Sequence, residues 1–296
     1  MRILMCLYHG EPYLGVAEGD QVRLPATSNN WPAGYRDVSG LIAGGPEALQ
    51  RLRDALAADA NITSVGLEKA NFLAPVPRPP KNVMCLGWNY AEHVEETSGS
   101  KKLSSDLPEH PIVFTKASSS VTGPYDDVPY FGDVTREMDW EVELGVVIGR
   151  GGRGIPKGEA LEHVFGYTVI NDLSARDLQS RHQQFFLGKS LDGACPMGPW
   201  IVTADEIPDP QNLNLSCRVN GITKQSSNTR HMIFGVATTI AVLSRGMTLE
   251  PGDVIATGTP SGVGFTREPP EFLKSGDVVE CEVEGIGVIR NRMGSQ

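Results

Sequence analysis

Met138-Asp139-Trp140-Glu141-Val142-Glu143-Leu144-Gly145-Val146-Val147-Ile148 is the most informative stretch of this chain. Successive side chains of a strand leave opposite faces, so Asp139, Glu141 and Glu143 share one side, roughly 7 Å apart. Trp140, Val142 and Leu144 take the other side, which predicts core. Three acids on one face repel one another. The face is therefore either the solvated side of an edge strand or a place where positive charge gathers.

Around this stretch lie other strand candidates: NVMCLGW, PIVFTK, GYTVIND, WIVTA, NLSCRVNG, DVIATGT, DVVECEVEG and GVIRNR. Helical patterns are fewer: AEHVEE, GEALEHV, ARDLQSRHQ and IFGVATTIAVLSRG. Many strands with sparse helices predict a β-rich α+β fold, a mixed β-sandwich roll rather than a doubly wound parallel sheet. Residues 1–74 read as a small N-terminal α+β domain, with short strands and a helix in PEALQRLRDALAADA. The Pro75–Pro80 segment, PVPRPP, breaks regular structure and opens a second domain over 75–296. Residues 97–108 are polar and small, a surface loop or an active-site lid.

Across 296 residues, 26 basic against 36 acidic side chains give a net charge of −10. Such a balance argues against nucleic acid and anionic membranes as partners. No apolar stretch approaches the ~20 residues of a membrane span, and the N-terminus lacks signal-peptide character. Cys6, Cys85, Cys195, Cys217 and Cys281 are odd in number and show no CxxC spacing. Buried thiols in a reducing, cytoplasmic setting fit them better than disulfides or zinc.

In GYTVINDLSARDLQ a strand ends at Asp172 and a helix begins, with Ser174 and Asp177 at capping-box spacing. Asp172 at a strand end is able to meet Glu141 and Glu143 across neighbouring strands. Two glutamates and an aspartate form a hard all-oxygen set that suits Mg²⁺, Mn²⁺ or Ca²⁺ better than zinc. Three protein ligands leave open positions for water and substrate. His93 and Glu96, three apart in NYAEHVEE, share one helix face, and a carboxylate beside an imidazole raises its basicity. An ordinary surface helix is the competing reading. The GTPSG turn at 258–262 lacks the ending of a phosphate loop.

The blocks CLGWNYAEHVEE, WEVELGVVIG, GYTVINDLSARDLQ, LGKSLDGACPMGPWIV, NTRHMIFGVATTIAVLS, LEPGDVIATGTPSGVG and FLKSGDVVECEVEGIG follow one another in order. Together they resemble the fumarylacetoacetate hydrolase family over nearly everything after residue 80. The resemblance implies a Mg²⁺ or Mn²⁺ centre held by Glu141, Glu143 and Asp172, and a homodimer or higher oligomer. It makes His93 and Glu96 the acid/base pair and Lys189 an active-site lysine that steadies an oxyanion. Arg176 and Gln179 match pocket-lining positions, and Thr259 in the TGTP motif matches a position facing a substrate carboxylate.

The implied substrates are 2-oxo or 2,4-dioxo acids, of the kind met in aromatic-compound catabolism. The favoured chemistry is hydrolysis of a 2,4-dioxo acid to a carboxylic acid and pyruvate, with His93 activating water. Decarboxylation of oxaloacetate, or isomerisation of a 2-hydroxydienoate, reaches the same enolate without water. A non-catalytic binding protein that kept the fold is the reading from another class. Side chains near Phe185 and Phe186 are expected to set what lies beyond the reacting carbons.

Overall fold

A computed structural model describes residues 1–27, 31–58, 62–101 and 107–295. The strands in chain order are β1 (Arg2–Tyr8), β2 (Glu11–Glu18), β3 (Gln21–Leu24), β4 (Thr63–Gly66), β5 (Asn71–Leu73), β6 (Val83–Gly87), β7 (Ile112–Lys116), β8 (Val121–Thr122) and β9 (Met138–Asp139). They continue as β10 (Val142–Ile148), β11 (Val164–Asn171), β12 (Ser174–Ala175), β13 (Cys195–Thr203), β14 (Asn214–Val219), β15 (Ile222–Asn228), β16 (Val254–Ala256), β17 (Val278–Val283) and β18 (Gly287–Arg292). The α-helices are α1 (Val38–Ala43), α2 (Gly45–Ala58), α3 (Ala91–Lys101), α4 (Arg176–His182), α5 (Phe186–Lys189) and α6 (Val236–Ser244).

The main sheet runs β4-β3-β2-β1-β13-β11-β10-β16-β6-β7, and β15-β14-β17-β18 form a second sheet. The roll is mixed: β16 and β6 are parallel, whereas β10 pairs antiparallel with both β11 and β16. The strands before residue 74 do not form a sheet of their own. They extend the main one, with Arg2 opposite Val202 and Ile3 opposite Ile201.

The decisive stretch lies in the middle of this sheet, not at an edge. Val142, Leu144, Val146 and Ile148 pack with Leu215, Cys217, Val279 and Cys281 of the second sheet. Val147 turns to the other side, into a core shared with Leu41, Ile42, Leu52 and Leu56 of α1 and α2. Burial on both faces rules out a solvated acidic side. Burying an unpaired carboxylate is costly, so Glu141 and Glu143 require partners inside the protein.

Four local features differ from the sequence expectation. GEALEHV is not an α-helix: its first six residues lie in a 3₁₀ segment, Lys157–His163, and Val164 opens β11. Residues 97–101 continue helix α3 rather than forming a loop, and 102–106 lie outside the described residues. The Ser174–Asp177 cap is not formed: Ser174 Oγ donates to Asp172 O, and Ala175 stands at the N-cap of α4 without a side-chain bond. Asp177 instead accepts from Thr135 at 2.6 Å. Strand β15 was not anticipated, because ITKQSSN has no alternating apolar face. All five cysteines are free and buried, as expected of packing residues. No helix among the described residues is long and apolar enough to cross a membrane.

Candidate active site

Strand polarity brings the site together. The parallel strands β6 and β16 end at the same edge of the sheet, β11 ends there too, and antiparallel β10 begins there. Trp88-Asn89, Thr257-Gly258-Thr259, Asp172 and Glu141-Val142-Glu143 therefore converge although they are far apart in the chain. Oxygens of Glu141, Glu143 and Asp172 lie within 4.8 Å of one another, and all three residues are buried.

Cations surround the cluster. Lys189 Nζ donates to Glu141 Oε2 and Asp172 Oδ2, both at 2.8 Å. Arg176 donates through Nη2 to Glu141 Oε1 at 2.6 Å and through Nε to Asp139 Oδ2 at 2.9 Å. Lys116 Nζ, fully buried, reaches Asp172 Oδ1 at 2.6 Å. Burial works to raise the Glu141 carboxyl, but Lys189 and Arg176 prevail and hold it at about 2. Lys189 is held above its ordinary value: its two carboxylates outweigh the burial that would lower it.

Glu143 is different. Its Oε2 accepts the Gly258 N–H at 2.7 Å, while Oε1 is buried without a partner. Burial, then the charges of Asp172 and Glu141, push this carboxyl well above the usual range. Were all of Asp139, Glu141, Glu143 and Asp172 ionised against Arg176, Lys189 and Lys116, one negative charge would go unmatched, which is why Glu143 holds its proton more tightly than an ordinary carboxyl. A divalent cation at Glu143 Oε1 would turn that deficit into one positive charge, which the carboxylate of a 2-oxo acid would cancel. The donor set fits a hard cation such as Mg²⁺ or Mn²⁺.

Asp139 does not join the three acids. Its carboxylate takes the N–H groups of Trp140, Gly264 and Phe265 besides Arg176, so every lone-pair direction is engaged in holding the chain.

On the opposite side, His93 Nδ1 lies 3.2 Å from Glu96 Oε2, and His93 is 4% exposed. Burial acts to raise the Glu96 carboxyl, but hydrogen bonds from His93, Thr266 and the Gly262 N–H bring it below its ordinary value. A cavity of about 310 Å³ is lined by His93, Glu141, Arg176, Gln179, Lys189 and Thr259. It also touches Phe185, whereas Phe186 points outward and is exposed. His182 and His231 are exposed, and His163 is fixed by Arg150.

The 258–262 turn is a brace. Gly258 N–H holds Glu143 and Gly262 N–H holds Glu96, at 3.0 and 3.2 Å from its two oxygens. The Thr259 hydroxyl donates to Val142 O at 3.0 Å, so its proton faces the strand rather than the cavity. Gly258 and Gly262 have φ of 92° and 100°, and a Cβ on Gly262 would sit 2.1 Å from Lys224 O. Gln225, buried outside the cavity, fixes the turn from behind: Nε2 donates to Thr259 Oγ1 and Pro260 O, and Oε1 accepts the Val142 N–H. Replacing Gln225 by leucine leaves buried groups unpaired at about 1–3 kcal/mol each. Urea unfolding is expected to show a loss of about 3 kcal/mol, and a loss under about 0.5 kcal/mol, the size of a surface change, would contradict this role.

Sequence reading missed Lys116, Gln225 and Asn89. The Asn89 amide Nδ2 donates to Phe234 O and Thr257 O, while Oδ1 accepts the Phe234 N–H, tying the start of α3 to the brace. A lysine closing the otherwise apolar PIVFTK was the one available signal. Gln225 lay in the unrecognised strand, and Asn89 looks like any turn residue.

A two-sheet roll that collects buried acids, lysines and a histidine–carboxylate pair around one cavity defines a class of small-molecule enzyme. The family pattern described as fumarylacetoacetate (FAA) hydrolase C-terminal matches residues 82–294, and the chain belongs to that family. It is 50% identical over 228 residues to oxaloacetate tautomerase YisK of Bacillus subtilis, covering 77% of this chain and 74% of that protein. To the mitochondrial oxaloacetate tautomerase Fahd2a of Rattus norvegicus it is 44% identical over 284 residues, 96% of this chain and 88% of the other. Among solved structures, the fumarylacetoacetate hydrolase of Exiguobacterium antarcticum superimposes with a TM-score of 0.84 at 40% identity, over 100% of both chains. The 2-hydroxyhepta-2,4-diene-1,7-dioate isomerase of Mycobacterium marinum gives 0.74 at 30%, over 99% of this chain and 98% of its own.

Proposed function

We propose that this protein interconverts the enol and keto forms of a 2-oxo acid of the oxaloacetate type, using Mg²⁺ or Mn²⁺ held by Glu141, Glu143 and Asp172. The observation that carries the reading is the buried, unpartnered Oε1 of Glu143, whose carboxylate clusters with those of Glu141 and Asp172, beside a cavity lined by Glu141, His93 and Lys189. Two relatives named as oxaloacetate tautomerases support proton transfer over the hydrolysis that the family resemblance first implied.

Held by Glu141, Glu143 and Asp172, a divalent ion would supply Lewis acidity toward a bound 2-oxo acid. Glu96 engages His93 Nδ1, leaving Nε2 to exchange a proton with substrate C3. Lys189 donates to the 2-oxygen as negative charge develops there, and Arg176 steadies Glu141. In the ketonising direction the enol loses its O–H proton and C3 gains one, so no water is consumed and no carbon bond breaks.

Following oxaloacetate enol absorbance with Mg²⁺ tests this, with CO₂ release and acylpyruvate cleavage measured in parallel. Enol decay well above the Mg²⁺ buffer rate without CO₂ is the expected result. Decay at the buffer rate, with acylpyruvate cleaved instead, would establish the hydrolytic reading. That second reading draws on the likeness to the Exiguobacterium enzyme and on a histidine–glutamate pair suited to activating water.

A further inference from the structure

The outer cavity wall is built of aromatic rings from four separate segments: Trp88 after β6, Phe114 on β7, Phe185 before α5 and Phe265 beyond the brace. Phe114 and Phe185 meet edge to face, centroids 5.4 Å apart at 69°. Arg176 lies over Phe265 at 4.3 Å, and Lys189 over Phe114 at 5.0 Å. Trp88 adopts φ +51°, a left-handed conformation that a bulky residue rarely takes. Such strain persists where the surroundings over-determine it. Here Asn89, with its three side-chain hydrogen bonds, fixes the next residue and so presents the indole to the cavity.

Charge tells the same story. Among the described lining residues the fixed cations are Arg176 and Lys189, and both are engaged by carboxylates. Gln179, Ser180, Gln183 and Thr97 complete the polar lining without charge. The described wall therefore offers no free cation to a second carboxylate at the tail of a substrate. It does offer faces and edges on which a flat apolar group stacks, in a volume that a four-carbon acid leaves partly empty.

We infer that the site also turns over 2-oxo acids carrying an aromatic ring at C3, with phenylpyruvate as the probe. This rests on the enolate reading and names a further substrate class for the same site. The step is an isomerisation: the C3–H bond breaks to His93, C2=C3 forms, and the 2-oxygen gains the proton. The reverse sequence returns the keto acid, with no oxidant, reductant or water consumed.

The test compares the full-length protein, saturated with Mg²⁺, on phenylpyruvate enol and oxaloacetate enol, each against Mg²⁺ buffer. The expected result is a kcat/KM for phenylpyruvate at least within tenfold of that for oxaloacetate. In Trp88→Ala and Phe185→Leu the phenylpyruvate-to-oxaloacetate ratio of kcat/KM is expected to fall tenfold or more, and Trp88→Phe to restore most of it. Acceleration of oxaloacetate alone overturns the inference and leaves the proposed function standing. Acceleration of neither overturns both. A ratio unmoved in both Trp88→Ala and Phe185→Leu removes the aromatic wall from substrate choice.

Discussion

Lys189→Met is expected to remain folded and to lose about 10²–10³ in kcat, the usual cost of a positioned oxyanion donor. Lys189 is 2% exposed, and its ammonium bridges Glu141 and Asp172 at 2.8 Å each. Methionine keeps the length and apolar stem of the side chain. Arg176 still pairs with Glu141 and Lys116 with Asp172, so neither acid is left without a cation. What disappears is, among the described residues, the one ammonium that both borders the cavity and faces the three-acid cluster. Enol decay under saturating Mg²⁺, with a circular dichroism melt beside it, checks both halves. Wild-type kcat in a folded variant would remove Lys189 from the chemistry.

The second large effect concerns the cation itself. A chelator is expected to abolish enol–keto turnover, and Mg²⁺ or Mn²⁺ to restore it. Stability gives an independent readout. Because the folded Glu143 carboxyl is raised, the metal-free protein retains a proton that the unfolded chain releases. Its stability therefore falls as pH rises from the ordinary carboxylate range through the raised value. Glu141 acts in the opposite sense, but its contribution is lost only as pH falls toward about 2. A bound divalent ion holds Glu143 as carboxylate and removes the penalty. The Tm difference between Mg²⁺-loaded and EDTA-treated protein is thus expected to widen as pH rises above the ordinary carboxylate range. At 100-fold saturation binding stabilises by about 2.7 kcal/mol, roughly 5 °C in Tm. Identical melts with and without the ion across that range would contradict a cation at the three acids.

How far the sequence reached depended on whether a signal was local. Alternation in WEVELGVVIG gave the strand and its apolar face, and the scarcity of helical patterns gave a β-rich class. The end of a strand at Asp172 suggested its meeting with Glu141 and Glu143, and the structure brings the three together. A histidine three residues from a glutamate on a helix predicted their contact, because that spacing lies on one helix face. Lys116 and Gln225 carried no comparable mark, since Lys116 meets Asp172 56 residues further on and Gln225 meets Thr259 34 residues further on, from a strand the pattern did not reveal. Thr259 matched a familiar position, yet the direction of its hydroxyl depends on where Val142 passes.

By itself the sequence determined periodicity, charge composition and the local spacing of acids, and so which side chains were available for chemistry. Tertiary structure alone decided that four carboxylates meet three cations, that Glu143 keeps one oxygen unpaired, and that the 258–262 turn braces both sides of the cavity. The reason is physical. Local pattern fixes which way a side chain points from its own strand or helix, whereas the energy of a buried charge is set by whatever the rest of the chain packs against it.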